Sequence, residues 1–255
     1  MLLLLSPAKR LDLSPAPSPP QTTPLFAEDA ARLAGTLRAR TTSEIQDLMS
    51  LSDDLAQLNR ERFQTFGTGE AYPAVLSFAG DVYRGLDARS LEQEMLDRAQ
   101  ARLRILSGLY GVLRPLDAIE PYRLEMGTKL ATSGARDLYG YWGDRIARAV
   151  EADLSAHEDQ TVVNLASQEY AKAVLPHLSA RLLTPVFLEE KDGQSRTLAL
   201  FAKVARGLMA RWAIENDVYR SDDLRGFDTA GYTYRADAST EERLVFARPQ
   251  PPKKR

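Results

Sequence analysis

Met1-Leu-Leu-Leu-Leu-Ser-Pro-Ala-Lys9 joins an unbroken apolar run to a polar loop that contains proline. A short apolar run bounded by turn-forming residues predicts a strand that is buried on both faces. We therefore expect a strand over residues 2–5 inside a sheet, with Lys9 in the loop at its carboxyl end. The run is too short for a signal-peptide core, and the sequence shows no uncharged apolar stretch long enough to cross a bilayer.

Similar runs of apolar residues recur along the chain and alternate with helical patterns. They predict strands over residues 74–79, 104–113 (with a tight turn), 161–166, 183–188, 197–201 and 243–247, and helices over 26–39, 90–103, 137–152 and 203–214. The turn Lys191-Asp-Gly193 predicts a hairpin, so part of the sheet is antiparallel. The fold class that follows is α/β (α+β), with one large mixed sheet surrounded by helices. We expect a single domain over 1–248 and a disordered basic tail over 249–255.

Composition excludes several kinds of catalyst. The chain has 255 residues, 44% of them hydrophobic and 27% charged, as in an ordinary folded globule. It has no cysteine, which rules out disulfides, thiolate nucleophiles and cysteine-type zinc sites. The two histidines and the lack of any serine motif argue against a Ser-His-Asp site. The formal net charge is −2, so nucleic-acid binding would need a local basic patch rather than bulk charge.

Polar side chains follow most of the predicted strands. Those nearest the strand ends are Lys9, Asp81, Tyr83, Arg84, Arg114, Asp117, Arg123, Glu125, Asn164 and Ser167. If these loops meet at one edge of the sheet, they form a cleft rich in arginine, lysine and carboxylate, which suits a ligand that carries phosphate. The alternative is a set of surface ion pairs that hold the loops in place.

Two further segments are rich in basic residues. Residues 196–211 contain no acidic residue, and a helix there would put Lys203, Arg206 and Arg211 close to one stripe. Residues 102–129 add Arg104 and Lys129 to the arginines already named. A solvated helix face is the alternative interpretation of such a stripe.

Residues 43–66 predict two short helices joined by a connector of about two residues, which folds them into a helical hairpin. Helix-hairpin-helix modules present backbone amides and a helix N-terminus to DNA phosphates. The connector here has no glycine, and Asp53 and Asp54 put negative charge where a phosphate would lie. On these residues alone, a hairpin that only packs against the core is favoured.

Several motifs together resemble the YaaA family, also called UPF0246 or DUF328. They are Ser6-Pro-Ala-Lys9, Gly80-Asp-Val-Tyr-Arg-Gly-Leu86, Leu106-Ser-Gly-Leu-Tyr-Gly-Val-Leu-Arg-Pro-Leu-Asp117, Pro121-Tyr-Arg-Leu-Glu-Met-Gly127, Asn164-Leu-Ala-Ser167, Glu169-Tyr170, Pro185-Val-Phe-Leu188 and Ala205-Arg-Gly-Leu-Met209. The resemblance implies a cytoplasmic bacterial protein of the peroxide stress response that limits free intracellular iron. It also implies an unusual α/β fold with a basic cleft and a helix-hairpin-helix element that binds double-stranded DNA.

Three hypotheses for the function follow. The first is a DNA-binding stress protein, monomeric and with no cofactor and no membrane association, that uses the basic cleft. The second is an enzyme that acts on a nucleotide, a base or a phosphorylated small molecule in the same cleft, although no catalytic motif is recognisable. The third and weakest is iron binding through carboxylates such as Glu189 and Glu190, because iron usually takes some histidine or cysteine ligands.

Overall fold

The computed structural model describes residues 1–15 and 19–252. Within them, twelve β-strands occur in chain order: β1 Leu2–Leu5, β2 Arg10–Leu11, β3 Tyr72–Pro73, β4 Phe78–Ala79, β5 Leu103–Ser107, β6 Gly111–Leu113, β7 Ala118–Ile119, β8 Thr161–Asn164, β9 Arg181–Lys191, β10 Gln194–Arg196, β11 Thr233–Tyr234 and β12 Arg243–Pro249. The α-helices are α1 Ala27–Arg38, α2 Thr42–Met49, α3 Asp53–Thr65, α4 Ala74–Ser77, α5 Asp81–Leu86, α6 Gln93–Arg102, α7 Leu138–Trp142, α8 Arg145–Leu154, α9 Gln168–Ala171 and α10 Ala199–Glu215.

One mixed sheet of eight strands organises the protein, in the order β11-β12-β9-β8-β1-β5-β6, with β10 paired to β9. The five inner strands β12, β9, β8, β1 and β5 are parallel. The flanking strands β6, β10 and β11 are antiparallel to their neighbours. The predicted fold class, a single α/β domain with a large mixed sheet and surrounding helices, is confirmed.

The strand order reverses between β8 and β1. From β1 the chain proceeds to its neighbour β5 on one side, and from β8 it proceeds to β9 on the other side. Strands β1 and β8 are buried along their whole length, as the apolar runs predicted. In open α/β sheets, ligands bind in the crevice beyond the carboxyl ends of the strands at such a reversal. The topology therefore marks the loops after β1 and β8 as the place to look for a site.

Two of the strand predictions were wrong. Residues 74–77 form the short helix α4, and only Phe78 and Ala79 are extended, in a two-stranded pairing with β2. All four residues of α4 are buried, and a short, fully apolar run does not distinguish a buried helix from a buried strand. Residues 197–201 were expected to pair with β9, but α10 begins at Ala199 and the return strand is the exposed, polar β10.

The hairpin turn at Lys191 is confirmed, since β9 and β10 are antiparallel and Asp192 and Gly193 have positive φ. The single helix expected over 137–152 is divided into α7 and α8 at Gly143, which has φ 51°. At the carboxyl end β12 continues to Pro249, and the Gln250 N–H donates to the Glu190 carbonyl. Order thus extends past 248, and residues 253–255 of the expected tail lie outside the described residues.

Helices α2 and α3 form a helical hairpin through residues 50–52. The Gln46 carbonyl accepts the N–H groups of both Ser50 and Leu51. The Gln46 side chain donates to the Asp53 carboxylate at 2.5 Å. Two amides of the connector are thus used inside the hairpin, and a carboxylate lies beside it. A DNA-binding role for this hairpin is not confirmed and stays a prediction.

A candidate phosphate-binding cleft

A cleft of about 460 Å³ opens beyond the carboxyl ends of β1 and β8. Loops after both strands contribute to it, together with the start of α5, the 122–125 segment and one face of α10. Its polar lining residues are Ser6, Lys9, Arg10, Asp81, Tyr83, Tyr122, Arg123, Glu125, Ser167, Glu169, Tyr170, Lys203 and Arg206. The structure thus brings together eight of the residues predicted from the sequence: Lys9, Asp81, Tyr83, Arg123, Glu125, Ser167, Lys203 and Arg206.

Hydrogen bonds between neighbouring loops fix the back of the cleft. The Ser167 N–H donates to Ser6 Oγ at 2.8 Å, and Ser6 Oγ lies 3.2 Å from Ser167 Oγ. The Tyr83 hydroxyl, from α5, donates to the Ser6 carbonyl at 3.0 Å. The loops after β1 and β8 are therefore tied to each other and to α5, which preorganises the cleft.

Three buried tyrosines, Tyr83, Tyr122 and Tyr170, contribute to the lining of the cleft. Burial raises the pKa of each of these phenols. They therefore stay neutral hydroxyls at neutral pH. Tyr122 Oη lies 2.6 Å from Ser107 Oγ, so its ring is held by β5. A rigid, partly polar aromatic surface of this kind suits contact with a planar or apolar part of a ligand.

Some of the charges in the cleft are already paired. Lys9 Nζ lies 2.6 Å from Glu125 Oε2, and Arg123 Nη2 lies 2.9 Å from Glu125 Oε1. The Glu169 carboxylate accepts the Gly127 N–H at 2.9 Å. In total five cations face three carboxylates, Asp81 being the third, so the lining carries an excess of two positive charges.

Three of the five cations have no ion-pair partner among the described residues: Arg10, and Lys203 and Arg206 of α10. Neither Lys203 nor Arg206 makes a hydrogen bond or an ion pair within residues 1–15 and 19–252. Arg206 is half-buried, and burial lowers the pKa of its guanidinium, which nonetheless stays charged at neutral pH. A partly desolvated charge without a partner is unfavourable in a folded protein, and an anion bound in the cleft would relieve it. Arg206 is therefore the strongest indication of an anionic ligand.

Other predicted site residues lie elsewhere and have structural partners. Arg104, on β5, is buried and bonds Asp153 at 2.6 Å and the carbonyls of Gln100 and Leu103. Arginine is rarely buried, so the burial of Arg104 was not predicted. It holds α8 and the end of α6 to the sheet.

Arg114 and Asp117 pair with each other rather than facing the cleft. Arg114 Nη2 lies 3.0 Å from Asp117 Oδ1, and Thr22 Oγ1 donates to the same oxygen at 2.6 Å. The Asp117 carboxylate is 1% exposed and also accepts the Arg114 N–H. This pair fixes the proline-rich segment near residue 22 to the loop after β6, as the ion-pair alternative anticipated.

The remaining predicted residues lie beside or away from the cleft. Arg84 is exposed and pairs with Asp81 at 3.3 Å, and Lys129 is exposed outside the cleft. Arg211 donates to the carbonyls of Leu86 and Asp87, so it fastens α10 to the end of α5 and does not extend the stripe into the cleft. Asn164 accepts the Ala166 N–H and shapes the loop after β8.

The carboxylates considered for iron have cationic partners. Glu189 is 1% exposed, lies 3.0 Å from Arg248 Nε and accepts the Tyr232 hydroxyl. Glu190 lies 3.0 Å from Arg235 Nη2. In the described part of the chain, no group of three or more histidine and acidic side chains is placed to hold a metal ion.

Sequence reasoning missed Arg10 and Tyr122 as cleft residues. Arg10 lies beside Lys9 in the loop after β1, and Tyr122 lies beside Arg123 in the 121–127 motif. Each residue is next to a predicted site residue in the sequence, and this was the signal that could have identified it.

The fold and the cleft define an α/β protein of one mixed sheet, with a cation-lined cleft at the strand-order reversal. No helix among the described residues is long and apolar enough to cross a membrane. The family model of the peroxide stress protein YaaA matches residues 1–238. The chain belongs to this family, and its general role is in peroxide stress.

Relatives of similar length support the assignment. A UPF0246 protein of Phenylobacterium zucineum is 51% identical over 261 residues, covering 99% of this chain and 96% of the relative. A UPF0246 protein of Ruegeria pomeroyi is 50% identical over 254 residues, covering 98% of this chain and 99% of the relative. One from Caulobacter vibrioides is 49% identical over 255 residues, covering 98% and 100%.

Proposed function

We propose that this protein binds double-stranded DNA through the cations of the cleft, and that it acts in the cytoplasm, as a monomer, to limit free iron during peroxide stress. The observation that carries the DNA-binding part is Arg206, a half-buried cation, beside the exposed Lys203, neither of which has a partner in the part of the chain that the structure describes. Arginine forks and lysine ammonium groups bind phosphate oxygens, and these two lie one helical turn apart on one face of α10.

The size of the cleft determines how a duplex would bind. A volume of 460 Å³ equals that of a cube with an edge of about 8 Å, whereas the major groove of B-DNA alone is about 12 Å wide. A duplex therefore lies across the mouth, with its phosphates on Lys203, Arg206 and the exposed cations Lys9 and Arg10. Such contacts carry no sequence information, so we expect binding without strong sequence preference.

Limiting free iron is the second part of the proposal, and family membership supports it. Less free iron means less Fenton chemistry and less damage to DNA. Iron binding by the chain itself finds no support in the side-chain arrangement, so the effect on iron would be indirect. The test is electron paramagnetic resonance of chelatable ferric iron in cells that lack the protein. Restoring the wild-type chain should lower the signal, and an unchanged signal would remove this part of the proposal.

The test of DNA binding is fluorescence anisotropy with a labelled duplex. We expect the double variant Lys203→Gln, Arg206→Gln to bind at least tenfold more weakly than the wild type. The matched control is Arg148→Gln, Arg225→Gln, which removes the same charge from two exposed positions away from the cleft. If both double variants lose the same affinity, or neither loses any, the cleft is not the DNA-binding surface.

A second candidate function is an enzyme that acts on a nucleotide, a base or a phosphorylated small molecule. The observation that favours it is the concave form of the cleft, which joins Lys9, Asp81, Tyr83, Arg123 and Glu125 as one lining. Binding of DNA phosphates alone does not require this mixture of carboxylates and phenols. Incubation with nucleotides and nucleosides, analysed by mass spectrometry, tests it. A product that forms with the wild type and not with Glu125→Gln would support an enzymatic function. If the wild type forms no product from any of these compounds, the result counts against that function.

A further inference from the structure

A second cleft, of about 470 Å³, lies next to the first one. Its lining is mainly apolar and includes Ala166, Pro185, Val186 and Ala202, with Gln168 and Arg206 among its polar members. Strand β9, the loop after β8 and α10 form its walls. The polar first cleft and the apolar second cleft are similar in volume.

Arg206 is common to the lining of both clefts. The loop after β8 and the start of α9 also separate them, because Ser167 and Glu169 line the first cleft whereas Ala166 and Gln168 line the second. On α10 the same division occurs between Lys203 and Ala202. The unpaired guanidinium therefore stands at the boundary between two compartments, rather than at the bottom of one pocket.

We infer that the two clefts bind two consecutive nucleosides of an unpaired strand, with the Arg206 guanidinium on the phosphodiester that joins them. This inference rests on the proposed function, since it assumes that the phosphate held by Arg206 belongs to a nucleic acid. Each volume lies in the range of about 300–1,000 Å³ that holds one small ligand. Each cleft is narrower than a duplex, whose major groove alone is about 12 Å wide, so the nucleotides that enter are unpaired.

The chemistry of the two compartments fits this ligand. In the first cleft a base would contact Tyr122 and Tyr170, with Glu125 and Ser167 as hydrogen-bonding groups. In the second cleft a base would lie against Val186 and Pro185 with few polar partners, since the Phe187 ring is buried against Phe227, Tyr232 and Phe246. Contact of bases with aromatic side chains tolerates sequence variation. A single phosphate between two bases gives Arg206 the anionic partner that it lacks.

The probes are dithymidine monophosphate, which has one phosphodiester between two nucleosides, and thymidine 5′-monophosphate. A single-stranded oligonucleotide and a duplex complete the set, so that a free dinucleotide and a strand are told apart. Affinity is measured by isothermal titration calorimetry on the full chain. We expect the dinucleotide to bind at least tenfold more tightly than the mononucleotide, and Arg206→Gln to abolish that difference.

Variants that fill the second cleft test the two-compartment arrangement. Val186→Phe places a ring in that cleft, and Gln168→Trp does so from an exposed position where a folding defect is not expected. Both should lower dinucleotide affinity at least tenfold and leave mononucleotide and duplex affinity unchanged. Retained duplex affinity shows that each variant is folded.

Three outcomes would overturn the inference. Equal affinity for dinucleotide and mononucleotide, with duplex binding intact, contradicts it while leaving the proposed DNA-binding function standing. An equal loss of both small ligands in the filled variants would make the second cleft a site for one ligand only. Absence of binding to all four probes would contradict the inference and the DNA-binding proposal together.

Discussion

Gly207 on α10 faces Val82 on α5 so closely that a Cβ on Gly207 would lie 1.8 Å from the Val82 carbonyl oxygen. The reciprocal contact is equally close, since a Cβ on Gly85 would lie 2.2 Å from the Val204 carbonyl. The two helix backbones therefore touch, which only glycine permits at these positions. This crossing brings Lys203 and Arg206 of α10 beside Asp81 and the loops of the first cleft.

Gly207→Ala tests the role of the crossing. The added methyl must push α10 away from α5, and overpacking of this kind costs about 1–3 kcal/mol of unfolding free energy. Urea unfolding measures the loss. The control is Gly35→Ala, the same substitution at an exposed position of α1 with open space around it, which should raise stability by about 0.5–1 kcal/mol. Equal effects of the two substitutions would contradict the tight crossing.

Arg206→Met separates ligand binding from stability. Removing a half-buried charge that has no partner should raise the unfolding free energy by about 0.5–1 kcal/mol, whereas DNA affinity should fall. Thermal and urea unfolding, with anisotropy on the same samples, measure both. Arg148→Met, which removes an exposed ion-paired arginine, should change neither by much. A marked loss of stability in Arg206→Met would show that its guanidinium has a structural partner.

Arg104→Met should have the opposite effects. The variant removes donors from the carbonyls of Gln100 and Leu103 and separates the pair with Asp153, which should cost about 1–3 kcal/mol of unfolding free energy. DNA affinity at a temperature where the variant is folded should equal that of the wild type. A selective loss of DNA binding would show that Arg104 belongs to the DNA-binding surface.

Asp29 gives a stability contribution that depends on pH. Burial opposes its ionisation, but hydrogen bonds from Arg145, Tyr141 and Arg32 outweigh burial, so that the pKa of Asp29 is lowered. The stabilisation is complete above the unfolded-state pKa, near 3.9, and is lost as the pH falls through the lower folded-state pKa.

Asp29→Asn should therefore lower the unfolding free energy by about 1–3 kcal/mol at pH 7. The difference from the wild type should shrink in acid, because protonation removes the same interaction from the wild type. Urea unfolding at pH 7, 5, 4 and 3 measures the difference. A constant difference across this range would mean that the Asp29 charge does not stabilise the fold.

The sequence predicted the sheet and its inner strands from short apolar runs bounded by turns, such as residues 2–5. It did not predict α4, since a buried run of four apolar residues fits a helical turn as well as a strand. The cleft loops were predicted from their positions after strands. The sequence did not predict which of these charges lack a partner. Arg104, Arg114 and Arg206 differ only in the partners that tertiary packing brings to them.

The salt dependence of duplex binding tests the central claim most directly. Each cation that neutralises a DNA phosphate contributes about 0.9 to the slope of log affinity against log salt concentration. Anisotropy titrations between 50 and 200 mM salt (roughly the range in which this effect is large) should give the Lys203→Gln, Arg206→Gln variant a slope smaller in magnitude by about 1.8 than that of the wild type. The Arg148→Gln, Arg225→Gln control should keep the wild-type slope. An unchanged slope in the cleft variant would contradict a phosphate-binding role for these two residues.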